Sequence, residues 1–199
     1  MKKLFVQAIK FASATLALSA VMSVSSHAGL VGVKSIQISN SNNDWLQVAE
    51  VQAFNMSTAN VALASMGSTA SAPSVWESTS SASKAIDGST AGIHPNIFHS
   101  GSTGASQILT ITLASIEELS SFTIWGRTDC CSDRDIYNVA FFDQSGDMLS
   151  NFKGLDASGD THFASLQLPD TSTVPEPGSL ALFGLGLAGL AAVQRKRKA

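Results

Sequence analysis

Between residues 30 and 170 the chain repeatedly alternates apolar and polar positions. Val33 to Ile38 does so, as do Gln47 to Phe54, Ile108 to Leu113, Ser121 to Trp125 and Tyr137 to Phe141. Successive side chains of a strand point to opposite faces, so such runs, bounded by Ser, Gly, Asn and Asp clusters, predict half-buried antiparallel strands. No stretch of this region keeps an apolar period of 3.6 over three turns. The pattern therefore predicts one all-β domain over 30–170, an antiparallel β-sandwich of the jelly-roll kind. The serine-rich stretch from Ser57 to Ser83 has no clear period and reads as long loops with at most short strands.

The two ends follow a different logic. Met1, Lys2 and Lys3 carry positive charge, Leu4 to Val24 is largely apolar, and Ser26-His27-Ala28 supplies small residues for cleavage. This predicts a signal peptide helix over 1–28 and a mature chain beginning near Gly29, in an oxidising compartment. At the other end Val174-Pro175-Glu176-Pro177 precedes an uncharged apolar run over 178–193 and a basic tail over 195–198. A transmembrane helix takes about 20 apolar residues and at least about 17, so this run sits at the short edge. The positive-inside rule keeps the basic tail cytoplasmic and the domain outside.

Those three features, in that order over 171–199, resemble the PEP-CTERM protein-sorting signal of Gram-negative bacteria. The resemblance implies processing by an exosortase and transient anchoring in the inner membrane with the domain periplasmic. It further implies a final place at the cell surface or in the extracellular matrix, often beside exopolysaccharide. Gly184 to Gly189 fits G-x-G-x-x-G, but a dinucleotide site needs a preceding strand; small residues that let helices approach in lipid explain it better.

Charge narrows the class of partner. Seven of the twelve Lys and Arg residues lie in the targeting ends, which leaves Lys34, Lys84, Arg127, Arg134 and Lys153 against fourteen acids in the domain. A nucleic-acid binder needs a basic stripe to neutralise phosphates, so no nucleic-acid partner is expected. Two of the five cations flank the chain's two cysteines in Arg127-Thr128-Asp129-Cys130-Cys131-Ser132-Asp133-Arg134.

That string, preceded by Trp125-Gly126 and followed by Val139-Ala140-Phe141-Phe142-Asp143, resembles the coagulation-factor 5/8 C-terminal, or discoidin-like, family and within it the F-type lectins. Asn60 to Ala64 and Ser83-Lys84-Ala85-Ile86-Asp87-Gly88-Ser89 extend the resemblance over most of 33–165. The resemblance implies a galactose-binding-like β-sandwich and a carbohydrate-binding (lectin-like) module for glycans or exopolysaccharide. Leu46 to Phe54 matches the strand that usually closes such domains, which implies a circularly permuted order; adjacent chain ends would permit it.

The resemblance also implies roles. A vicinal disulfide between Cys130 and Cys131 would pack against the sugar, while Arg127, Arg134 and one histidine donate hydrogen bonds to its hydroxyls. Asp129 would hold the arginines. His99 is the histidine candidate and His94 lies further away. Neighbouring Cα atoms are about 3.8 Å apart, below the usual 4.4 Å for disulfides, so such a ring would stiffen a tight turn. The alternative is that the ring only rigidifies a loop whose arginines pair with acids, which suits a structural matrix or adhesion protein with a degenerate sugar site.

Structural Ca²⁺ is the second implied feature, held by the carboxylates of Asp87 and Glu50 and the carbonyls of Lys84, Ser89 and Ala49; a hard cation wants six to eight oxygens. The alternative makes Asp87-Gly88 a simple turn and Glu50 a solvated strand residue. Catalytic residues are not expected, because the serines lack a Gly-x-Ser-x-Gly context and no Cys-His or carboxylate pair follows from spacing.

Overall fold

The computed structural model describes residues 29–168. The expected signal peptide, sorting motif and membrane helix lie outside the described residues. Nine strands follow in order: β1 Leu30–Asn40, β2 Trp45–Val48, β3 Glu50–Asn55, β4 Thr69–Ser71, β5 Phe98–Thr103, β6 Ile108–Trp125, β7 Ile136–Phe142, β8 Met148–Asp156 and β9 Phe163–Gln167. The remaining regular structure is short 3-10 turns, and no helix of the described residues is long and apolar enough to cross a membrane.

All strand pairs are antiparallel, and β6 organises them. Its first part, Ile108 to Thr112, lies between β1 and β4, with β7 and β8 continuing outward from β1. Its second part, Leu119 to Trp125, lies between β3 and β9. One long strand thus serves two layers. Phe122 of the second part meets Phe141 of β7 edge to face at 5.6 Å, so the layers enclose one core with Ile36, Ile38, Val51, Leu109, Ile111, Ile124 and Val139. This is the all-β, antiparallel architecture that the alternation predicts, consistent with a sandwich.

Details differ from the expectation where alternation is a poor guide. Gln47 to Phe54 is not one strand: it breaks at Ala49, where β2 pairs with β5 and β3 with β6. The runs at Ile108 and Ser121 are a single strand, because the acidic segment between them stays extended although it does not alternate. Leu30 pairs with Leu119, and the Leu168 amide donates to the Ser120 carbonyl at 3.0 Å, so the domain's two ends leave from one place. From there β1 runs ten residues to Asn40, roughly 30 Å away. The loops gathered at that far pole carry the motif residues.

Candidate functional site

The loop after β6 is built around a buried acid. The Arg127 amide donates to Asp135 Oδ2 at 2.7 Å, and Tyr137 Oη lies 3.0 Å from Asp135 Oδ1. A Cβ at Gly126 would overlap the Asp135 carboxyl, which is why glycine stands there. The Thr128 amide donates to the Gly92 carbonyl at 2.7 Å and brings His94 against the loop. Asn40 Nδ2 donates to the Arg134 and Trp45 carbonyls at 2.5 and 3.3 Å, tying β1, β2 and the loop together.

These ties form a cleft of ≈ 290 Å³ lined by Trp45, Trp76, His94, His99, Arg127 and Arg134. Three of the sequence candidates, His99, Arg127 and Arg134, therefore meet. Arg127, Arg134 and His94 each face an acid that does not itself line the cleft. Arg127 donates through Nε and Nη2 to Asp129 at 2.6 and 3.2 Å, Arg134 faces Asp44 at 3.6 Å, and His94 faces Glu77 at 3.3 Å. The guanidinium hydrogen bond keeps the Asp129 carboxyl below its usual range. Asp129 thus positions Arg127 alone, whereas the expectation had it holding both arginines.

His99 plays a different part from the expected donor. Its Nδ1 lies 2.8 Å from the Ser100 carbonyl, which only accepts, so that nitrogen carries the proton. Its Nε2, 2.9 Å from the Gln47 amide nitrogen, must then accept. Burial, and after it the nearby Arg127, His94 and Arg134, lower its pKa, consistent with a neutral ring. Both nitrogens are engaged within the protein, so His99 offers a ligand its ring. It sits 5.3 Å from Trp45 and 5.6 Å from Trp76 between ring centres, and the two indoles meet edge to face at 5.1 Å.

Cys130 and Cys131 form the vicinal disulfide that the resemblance implies, with Cα atoms 3.8 Å apart. The pair is not part of the cleft lining, and Cys130 is exposed at the loop tip. Cys131 takes a left-handed conformation, φ 59° and ψ 31°, and starts the 3-10 turn Ser132–Arg134 that presents Arg134.

The expected calcium residues sit at the start of β3. Glu50 is fully buried, contrary to the alternative of a solvated strand residue. Its Oε2 accepts the Gly88 amide at 3.2 Å, whereas its Oε1 is buried with no partner. Burial pushes its pKa up to about 8, with Asp87 adding to the rise. Asp87 itself faces Lys84 at 3.7 Å. Among the described residues no group of three or more His, Cys, Asp or Glu could hold a metal, so a cation here would depend on carbonyl oxygens. A desolvated carboxylate with a bare oxygen is what a hard cation completes, so Glu50 suits the implied calcium.

Trp45 and Trp76 were not expected in the site, and His94 was the more distant of the two histidine candidates. Trp45 opens a strand, and Trp76 sits in the serine-rich stretch without period; only the fold brings them to the arginines. Ser80 Oγ, His94 Nε2 and Glu77 Oε1 also meet, but serine and acid face the same nitrogen, each at 3.3 Å. A hydrolytic triad needs them on opposite nitrogens. A second hollow of ≈ 190 Å³ over β1, β7 and β8 is lined mainly by Ile38, Val139, Ala140, Met148 and Phe152 with amides and one lysine at its edge.

The PEP-CTERM protein-sorting motif matches residues 173–197. No curated protein and no solved structure matches the chain. The matched motif implies an exported protein that is sorted by an exosortase and transiently anchored in the membrane of a Gram-negative bacterium.

Proposed function

We propose that this protein is an exported saccharide-binding module whose cleft holds a glycan or exopolysaccharide unit at the cell surface or in the matrix. The observation that carries the reading is that two guanidinium groups, Arg127 and Arg134, line the same cleft as the aromatic rings of Trp45, Trp76 and His99. A pyranose has hydroxyl edges that suit planar, acid-held guanidinium forks, and C–H faces that suit aromatic rings. With Arg127 and Arg134 already facing Asp129 and Asp44, the guanidinium pair donates hydrogen bonds without presenting bare charge. The discoidin-like, jelly-roll class and a structural Ca²⁺ on Glu50 and Asp87 belong to the same reading, and no catalytic role is part of it. The described domain ends at Leu168, at the pole opposite the cleft.

The test is a glycan array probed with the full chain exported to the periplasm of a Gram-negative host. Arg127→Ala and Arg134→Ala should each weaken binding of the sugars found by about 10- to 100-fold, with unchanged unfolding midpoints. A folded protein that binds no glycan, yet still associates with matrix in both variants, would make it a structural adhesion protein instead.

A further inference from the structure

We infer that Trp76 forms a second sugar subsite at the mouth of the cleft, so that the ligand is an oligosaccharide chain and not a single terminal residue. This rests on the saccharide reading above. Trp76 lines the cleft, yet 56 % of it is exposed, whereas the other lining residues are half-buried or buried. Its exposure is not that of a loose loop. The Trp76 amide donates to the His99 carbonyl at 2.9 Å, and Ser74 Oγ accepts the Gly101 amide at 3.1 Å while donating to Gln107 Oε1 at 2.6 Å. The segment lies so close on β5 that a Cβ at Gly101 would stand 2.8 Å from the Val75 carbonyl.

The indole is also braced laterally. Trp45 meets it edge to face with an interplanar angle of 86°, and His99 supports it at 45°. A rigidly held aromatic surface costs little entropy when a ligand covers it. Exposed Val75 and Ile93 extend the apolar rim beside it. With one sugar unit held by the arginines inside the ≈ 290 Å³ cleft, the exposed part of Trp76 is left for the next unit of the same chain.

The experiment measures affinity of the full chain for methyl glycosides of galactose, fucose, mannose and glucose. Beside them stand galactobiose and galactotriose, mannobiose and mannotriose, and cellobiose and cellotriose. In at least one series the longer sugars should bind about tenfold tighter than the methyl glycoside. Trp76→Ala should weaken the longer sugars about tenfold more than the methyl glycoside, and Trp76→Phe should keep part of that difference. Equal weakening of monomer and oligomer by Trp76→Ala, or no gain with length in the wild type, would overturn the second subsite and leave the saccharide reading standing. Absence of binding to every probe would overturn both.

Discussion

Asp135→Asn should make the domain more stable than the wild type above neutral pH and about equally stable near pH 4. Asp135 is fully buried, and that burial, opposed by its bonds to the Arg127 amide and Tyr137, lifts its pKa from 3.8 to about 7. The hydrogen-bond count supports the protonated form independently. Tyr137 Oη lies 2.6 Å from the Gln47 carbonyl and 3.0 Å from Asp135 Oδ1, but it has only one proton to give. If it donates to the carbonyl, Asp135 Oδ1 must donate to it, while Asp135 Oδ2 accepts from Arg127. Every group is then satisfied.

The direction of the pH dependence follows. A carboxyl whose pKa is higher in the folded than in the unfolded chain stabilises the fold fully below the unfolded value, and that contribution is lost as pH rises through the folded value. The interval from 3.8 to about 7 corresponds to about 4 kcal/mol. Asparagine reproduces the protonated pattern, one acceptor toward Arg127 and one donor toward Tyr137, and cannot ionise. Urea midpoints at pH 4 and 8 in the presence of a chelator should fall steeply for the wild type and about half as much for Asp135→Asn. A fall of similar size remains from Glu50, which has the same sign and extends to about pH 8. Asp135→Ala, which leaves the Arg127 amide without its partner, should be destabilised by about 2–4 kcal/mol relative to the wild type at pH 4, and by much less at pH 8, where the wild type has lost the contribution of Asp135. Parallel pH profiles for wild type and Asp135→Asn would show that Asp135 is ionised in the fold.

What the chain announces about itself depends on how local the signal is. Alternation exposes β1 and β7 because each has one core face and one outer face, and their burial patterns alternate accordingly. It misses β5, whose Phe98, His99 and Ser100 are all buried and so carry no period. It misses β8, which is largely exposed. The cysteine motif is legible because its arginines lie within one short string. The aromatic part of the lining is not, since Trp45 and Trp76 reach the arginines only through β2 and the backing of β5. Asp135 is one acid among several in the loop, and only the fold shows it as the buried one. The same holds for Glu50, which alternation puts beside solvent and the sheet puts in the core.

That burial makes Glu50 the more consequential of the two expected calcium carboxylates. Adding calcium should raise the unfolding temperature of the wild type and leave Glu50→Gln unmoved. Once ionised, Glu50 holds one hydrogen bond, from the Gly88 amide, and one bare oxygen. A buried charge in that state is costly, and a cation beside Oε1 offsets the cost directly. Asp87 can join because its pairing with Lys84 is a surface contact at 3.7 Å, worth little. With calcium at about 100 times its Kd the gain is about 2.7 kcal/mol, or roughly 8 °C for a domain of this size. Without calcium the order should reverse. Glutamine removes the buried charge, so Glu50→Gln should unfold at a higher temperature than the metal-free wild type at pH 8. An equal calcium response in both proteins would place the cation away from Glu50. No response in a folded wild type would mean that a proton, not a metal, completes the carboxyl, in keeping with its high pKa.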